Sequence, residues 1–346
     1  MLYVNVKKRL ESFDVEVELE ATKGRIGLLG ESGSGKSMTL KMIAGIEKPD
    51  EGVIILNDRV LFDSKKKINL PARKRNVGYL FQNYALFPQM NVVQNIVSGM
   101  GKCTRQEKER EARRRIEQLK LEGLEVRYPR QLSGGQQQRV AIGRMLAANP
   151  EILMFDEPFS ALDYHLRELM QEQFLEILEG LDKTSLLVTH DIDEAYRLCH
   201  KIAVVNKGKI DIFDTKENIF NSPRRISAAR ITGCKNISRI KRLSPTSVQA
   251  LDWGITLTIP PTQEEITHIG IRAHHLKFVE EKMENCFAYK ITNVSETRFN
   301  QTIMLNLSKE SDTATSLRLD MDKEIWRTMT ASSYIYLPPS RLLLLK

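Results

Sequence analysis

Short apolar runs alternate with amphipathic stretches over the first two thirds of the chain. Ile26 to Leu29 is a continuous apolar run, as expected of a strand buried on both faces, and Ser37 to Ile46 carries apolar residues at helical spacing. Arg75 to Phe81, Ile152 to Phe155, Ser185 to Thr189 and Ile202 to Val205 read as further core strands. Between them a charged helix is predicted from about Arg105 to Leu121. Thr104 and Glu107 stand at capping-box spacing, and Ala112, Ile116 and Leu119 line one face. Glu107, Glu109, Glu111 and Glu117 interleave with Arg110 and Arg113 to Arg115, which is the pattern of a solvated face, not of a nucleic-acid patch. Strands alternating with helices predict an α/β domain.

The pattern changes after about Arg230. Ile255 to Ile259 alternate apolar and polar, as do Ser333 to Leu337, with Pro260, Pro261, Pro338 and Pro339 as breaks. Period-two alternation cut by turns predicts a small β-rich domain or barrel. The expected organisation is therefore residues 1–230 and residues 231–346, with the boundary near 228–236. A length of 346 residues suits two cores of that size.

Charge changes this picture little. The chain carries 52 Lys and Arg against 44 Asp and Glu. Residues 231–346 hold 15 of the basic and 12 of the acidic side chains, so the excess is spread and forms no basic tail. No apolar stretch approaches the roughly 20 residues of a membrane span, and Lys7, Lys8 and Arg9 precede no apolar segment, so neither leader nor anchor is expected. Cys103, Cys199, Cys234 and Cys286 lie far apart with no CxxC pair, which predicts reduced thiols, not a zinc site or disulfides.

Candidate chemistry starts directly after the first core strand. Gly30-Glu31-Ser32-Gly33-Ser34-Gly35-Lys36-Ser37 matches GxxxxGK[ST] between a predicted strand and a predicted helix. Glycines at these positions let backbone N–H groups converge on phosphate oxygens at a helix N-terminus. Lys36 would reach the β and γ phosphates of a nucleotide and Ser37 would ligate Mg²⁺. Asp156 and Glu157 follow the strand Ile152 to Phe155, at the strand end where α/β sheets hold ligands. Asp156 is expected to hold Mg²⁺ through water and Glu157 to polarise the attacking water.

Leu132-Ser133-Gly134-Gly135-Gln136-Gln137-Gln138-Arg139 then precedes a helical pattern through Leu146. With the phosphate loop before it and Asp156 after it, this segment resembles the signature motif of ABC transporter ATPases. The resemblance implies a P-loop ABC ATPase fold followed by a small all-β, OB- or Mop-like domain, with that barrel at about 283–346. It implies an enzyme that binds ATP and Mg²⁺ and hydrolyses ATP as a homodimer. In that reading Ser133, Gly134, Gly135 and Gln136 of one subunit close on the nucleotide held by the other. Gln82 contacts Mg²⁺ and the attacking water, Asp163 in Ser160-Ala161-Leu162-Asp163 lies at the dimer interface, and His190 contacts the γ-phosphate. The family stacks adenine on an aromatic residue, and here Lys7 to Ser12 offers none, leaving Phe13 as the nearest candidate.

Asn83-Tyr84-Ala85-Leu86-Phe87-Pro88 resembles the importer region that receives a helix of the membrane permease, so docking is expected near Asn83, Tyr84, Phe87 and Pro88. A periplasmic or surface substrate-binding protein is implied indirectly, and no nucleic-acid partner. The expected location is peripheral, on the cytoplasmic face of the inner membrane. Gly270 to Leu276 is similar to the regulatory β domain of ATPases for sugars, polyamines and oxyanions. His274 and His275 are expected on opposite faces of a strand, away from any metal. The stretch Asn57 to Arg75 is most similar to molybdate importers, which points to molybdate or tungstate as cargo. Lys282-Met283-Glu284-Asn285 stands where the barrel's oxyanion motif begins, with Asn285 retained and its Ser absent. Sulfate, polyamine, iron or sugar import remain alternatives, as does a soluble ABC ATPase acting on DNA or ribosomes.

Overall fold

The computed structural model describes residues 1–160, 162, 164–181, 183–307, 315–328 and 333–346. It divides into two compact units, Met1–Lys216 and Glu217–Lys346. The sequence pattern puts the division near 228–236; the division in the structure falls earlier, so the helix Ile226–Ile231 and all but the first residue of the helix Lys216–Asn221 belong to the second unit.

The first unit opens with a hairpin of β1 (Leu2–Arg9) and β2 (Asp14–Ala21), in which Leu2, Val4 and Val6 face the core with Val15, Val17 and Leu19. It continues with β3 (Arg25–Leu29), α1 (Lys36–Ala44), β4 (Glu51–Leu56), β5 (Arg59–Asp63), β6 (Ile68–Asn69) and β7 (Val77–Leu80). Then come α2 (Val92–Ser98), α3 (Arg105–Gln118), α4 (Gly134–Ala147), β8 (Ile152–Asp156), α5 (Tyr164–Glu179), β9 (Thr184–Thr189), α6 (Ile192–Leu198), β10 (Lys201–Asn206) and β11 (Lys209–Thr215). One sheet orders them β6-β5-β4-β1-β2-β11-β10-β3-β9-β8-β7. The strands β10, β3, β9, β8 and β7 run parallel, and every residue of β8 is buried. Burial on both faces is why these strands are continuous apolar runs, whereas the β1–β2 hairpin alternates.

Two local features follow from side-chain chemistry. The helix α3 carries the predicted capping box, with Glu107 N–H donating to Thr104 Oγ1 (3.3 Å) and Thr104 N–H to Glu107 Oε2 (2.7 Å). The strand β7 starts two residues later than predicted because Arg75, fully buried, leaves the sheet to close the C-terminus of α1. Its guanidinium donates to the carbonyls of Met42 and Ile43 (2.8 Å each), to Leu70 O and to Asn69 Oδ1. The carbonyls of Met42 and Ile43 belong to the last turn of α1, where the helix itself supplies no i+4 donor; Met42 O also accepts from Gly45 N–H (3.2 Å). The chain bends away at Gly45, where a Cβ would collide with Arg75 Nε.

The second unit begins with α7 (Lys216–Asn221) and α8 (Ile226–Ile231) and is otherwise β-rich: β12 (Asn236–Ser244), β13 (Ser247–Ala250), β14 (Ile255–Thr258), β15 (His268–Ile271), β16 (Lys277–Val279), β17 (Cys286–Phe287), β18 (Lys290–Glu296), β19 (Asn300–Asn306) and β20 (Leu317–Asp322). A short α9 (Lys323–Thr328) precedes β21 (Tyr334–Tyr336) and β22 (Leu343–Leu345). The sheets are β14-β13-β12-β15-β22, β16-β21-β17 and β18-β19-β20. One core joins Trp253, Leu257 and Ile269 to Ile303, Leu319 and Ile335, and β22 pairs with β15. The strands after residue 283 thus share their core and their hydrogen bonds with those before it.

Candidate functional site

The phosphate-loop segment lies where the sequence places it, between the end of β3 and the start of α1. Gly35 caps α1 with φ of 101°, a left-handed conformation that a side chain would strain. At Gly30 a Cβ would collide with the carbonyl of Val205, so the loop passes the neighbouring strand at backbone contact distance. Lys36 is buried, and its Nζ donates to Gly30 O (2.9 Å) and Glu31 O (2.7 Å). Burial lowers its pKa, with Glu157 and Asp156 opposing. Ser34 Oγ is buried without a partner. Among the neighbours of Gly35 and Gly208 is the ring of Phe13, half-buried beside the N-terminus of α1.

Two carboxylates meet this loop from β8. Asp156 Oδ1 accepts from Ser37 Oγ (2.6 Å), and its Oδ2 accepts from the Tyr79 hydroxyl (2.7 Å). Burial, and next the bond to Asp156, raise the Tyr79 pKa far above the usual phenol value, so the phenol stays a donor. Glu157 leaves the strand with φ of 47°, an uncommon conformation for a residue with a side chain, and its N–H donates to Val188 O (3.0 Å) on β9. Its Oε1 stands 3.4 Å from His190 Nδ1. Gln82 Nε2 donates to Ser160 Oγ (3.0 Å), which donates to Glu157 O (2.9 Å). The structure therefore brings Lys36, Ser37, Gln82, Asp156, Glu157 and His190 together at the C-terminal ends of adjacent parallel strands, where ligands of open α/β sheets lie.

A layer behind His190 was not legible in the sequence. Thr189 Oγ1 donates to Glu194 Oε2 (2.9 Å) and accepts from Asp191 N–H (3.0 Å), while Asp191 Oδ1 caps α6 by accepting from Glu194 N–H (3.0 Å). Glu194 is buried, its Oε1 has no partner, and burial pushes its pKa up to about 8. Arg167 spans from Leu162 O (3.2 Å) to Asp191 Oδ2 (3.5 Å). The spacing Asp191-x-x-Glu194 signals a cap, but nothing local signals that the carboxyl is buried.

Ser133 caps α4: Gln136 N–H donates to Ser133 Oγ (3.3 Å) and Ser133 N–H to Gln136 Oε1 (2.9 Å). Ser133 and Gly134 are exposed, Gly135 is buried, and Ser133 and Gln136 bond to each other, not to the phosphate loop of their own chain. Asp163 lies outside the described residues, as does Ala161.

Three expectations change. The ring of Tyr84 is buried, with its hydroxyl toward Pro158 O (3.4 Å), so it anchors the Asn83–Pro88 loop from inside and offers no docking contact. Arg144 fixes the same loop by donating to Tyr84 O (2.9 Å) and Ala85 O (2.7 Å), and its guanidinium lies 5.3 Å from the exposed Phe87 ring. His274 and His275 sit on a 3-10 turn, not a strand, with ring centroids 4.3 Å apart. Among the described residues no group of three or more His, Cys, Asp or Glu side chains is arranged to hold a metal ion. Asn285 spends its side chain on the backbone of Thr258, accepting from N–H and donating to O (2.8 Å each), so it is a brace and not an open oxyanion contact.

The ABC transporter family profile matches residues 14–160. Over 210 residues the chain is 45% identical to an Fe(3+) ions import ATP-binding protein of Haemophilus influenzae, covering 60% of this chain and 58% of the relative. It is 42% identical over 224 residues to a molybdenum import ATP-binding protein of Mannheimia succiniciproducens, covering 64% and 62%. The chain thus spans about three fifths of the length of these relatives. A sulfate/thiosulfate import ATP-binding protein of Mesorhizobium japonicum is 35% identical over 285 residues, 80% of each chain. The dimeric ATP-binding cassette MJ0796, solved in a post-hydrolysis state with ADP and Pi, superimposes with a TM-score of 0.52 at 29% identity, over 62% of this chain and 99% of that one. A relation that runs through four fifths of both chains, on strand ends that bring a phosphate loop to its carboxylates, makes this chain a member of the ABC transporter family.

Proposed function

We propose that the chain hydrolyses ATP to power import through a membrane permease. The observation that carries this reading is the convergence of Ser37 and Asp156 (2.6 Å) with Glu157 and His190 (3.4 Å) on one edge of the sheet. The donor set suits Mg²⁺, a hard cation that takes one or two protein oxygens and completes its shell with water and phosphate. Ser37 Oγ and the Gln82 side-chain oxygen would supply those two, Asp156 would hold the ion through water, and a bound Mg²⁺ would neutralise charge developing on the phosphates.

Around it the chain's own groups have separable tasks. The amides from Gly30 to Ser37 cradle phosphate, and Lys36 exchanges its two carbonyl partners for phosphate oxygens. Glu157 accepts the proton of the attacking water, and Gln82 and His190 orient the water and the γ-phosphate. Phe13, half-buried beside the N-terminus of α1, is the proposed adenine support. Ser133 to Gln136 form a helix N-terminus, exposed at Ser133 and Gly134, that suits a γ-phosphate held by a second copy, with Asp163 proposed for that same junction. The exposed Phe87, with Asn83 and Pro88, is the proposed permease contact. Among the described residues no helix is long and apolar enough to cross a membrane. A peripheral position at the cytoplasmic face is part of the proposal, resting on the permease contact. The β-rich second unit is read as an OB- or Mop-like regulatory domain.

Molybdate or tungstate is the proposed cargo, supported by the 42% identity to the molybdenum import protein and by the likeness of Asn57 to Arg75. Iron is the second reading, favoured by the 45% identity to the Fe(3+) import protein. Glu157→Gln tests the chemistry: ATP binding is retained and turnover falls roughly 10²- to 10⁴-fold. Unchanged turnover would remove Glu157 from the role. Uptake of labelled molybdate, sulfate and iron by cells lacking the gene tests the cargo, and intact molybdate uptake refutes it.

A further inference from the structure

Asp156 is held by two hydroxyls from opposite directions, and only one of them belongs to the phosphate-loop machinery. Ser37, on the first turn of α1, takes Oδ1 at 2.6 Å; Tyr79, on β7, takes Oδ2 at 2.7 Å. The strands β7 and β8 are paired in parallel register with Leu80 opposite Phe155, so Tyr79 and Asp156 reach one another across the sheet edge from fixed backbone positions. The Tyr79 ring is itself clamped, 4.5 Å from the ring of Phe81. Most side-chain hydrogen bonds go to backbone or water; the Tyr79 hydroxyl donates to the carboxylate that the proposed function assigns to the cation.

We infer that Tyr79 is a positioning residue for the divalent cation, fixing the orientation of the Asp156 carboxylate and keeping its Oδ2 out of the coordination shell. The inference rests on the reading of Asp156 as the cation carboxylate. A Ser37 hydroxyl that gave a lone pair to a cation would keep its proton for Oδ1; the second lone pair of Oδ1 would accept from a cation-bound water, while Oδ2 would stay bonded to the phenol. A carboxylate with one oxygen occupied in this way presents a single oxygen. That suits Mg²⁺, which demands near-octahedral geometry and keeps its waters, and disfavours Ca²⁺, which accepts both oxygens of one carboxylate. Outer partners of this kind are commonly worth 10- to 100-fold in metal affinity.

The test is the affinity of the full chain for a fluorescent ADP analogue, titrated separately with Mg²⁺ and Ca²⁺, in the parent, Tyr79→Phe and Tyr79→Met. Both variants lack the donor, and Phe keeps the ring. Nucleotide affinity in EDTA should be unchanged in both. The Mg²⁺ concentration giving half the cation effect should rise about tenfold in both, while that for Ca²⁺ moves little or falls, so the preference for Mg²⁺ narrows. Superimposed titrations, an equal rise for both ions, or an effect in only one variant overturns the assignment, since a purely structural hydroxyl has no reason to distinguish the ions. If the parent's affinity does not respond to Mg²⁺, the reading of Asp156 falls and this one with it. If the parent responds and the variants match it, Tyr79 alone is refuted.

Discussion

Replacing Glu194 by Gln should change how stability depends on pH, and the size of the effect can be worked from its surroundings. The carboxyl is buried on the first turn of α6, one oxygen bonded to Thr189 and the other without a partner. Burial is the main cause of its raised pKa; Asp191 and Glu157 add to it, and the Thr189 hydroxyl and Arg167 pull the other way. The native pKa of about 8 lies above the ordinary 4.5, so folding favours the protonated form. The stability this provides is fully present below about pH 4.5 and is lost as pH rises, the loss levelling off above about pH 8. At about 1.36 kcal/mol per pH unit, the change between pH 5 and 8 is at most about 4 kcal/mol. Gln keeps an acceptor for Thr189 and cannot ionise, so its stability lacks this slope. For a unit of this size, roughly 2–4 °C per kcal/mol makes the two melting curves diverge by on the order of 10 °C between pH 5 and 8. Scanning fluorimetry across that range measures it, and parallel curves for parent and variant would refute the buried-carboxyl argument.

Mixing Lys36→Ala with Ser133→Arg protein tests whether catalysis needs two chains. One composite site in the mixed dimer is doubly damaged and the other intact, so turnover should exceed that of either parent. Crosslinking must confirm that mixed dimers form, and full turnover by a dilute monomer would contradict a shared site. In the second unit, Trp253→Ala empties the largest fully buried side chain of its core. That should cost about 3–5 kcal/mol, read as an earlier unfolding transition in urea.

The parallel half of the first sheet was the most legible part of the sequence, because strands buried on both faces leave unbroken apolar runs such as Ile152 to Phe155. The cap of α3 was equally readable, since Thr104 and Glu107 act at fixed local spacing. The antiparallel flank was harder: in β1 the core residues Leu2, Val4 and Val6 alternate with Tyr3, Asn5 and Lys7, and eight residues of period two make a weak signal. The site followed the same division. Residues that contact phosphate through local motifs, Gly30 to Ser37 above all, declare themselves in order. Tyr79 does not, because its partner is 77 positions away and only the β7–β8 register joins them. Glu194 looks in sequence like any acidic residue near a helix start. Tyr84 misled for a related reason: exposed loop and buried ring are both compatible with an aromatic residue between turns, and Arg144 and Pro158 decide it from elsewhere in the chain.

The plug at the far end of α1 has a consequence for how this sequence can vary. Arg75 fills the space that Gly45 leaves open and satisfies the carbonyls of Met42 and Ile43. Adding a methyl group at position 45 crowds the guanidinium, and shortening position 75 takes the side-chain donor from the Ile43 carbonyl and leaves that of Met42 with the Gly45 N–H alone. Each step is costly by itself, so the two positions are coupled. Among related sequences the glycine and the arginine should be kept together or replaced together, and a drifting lineage would have to change both at nearly the same time.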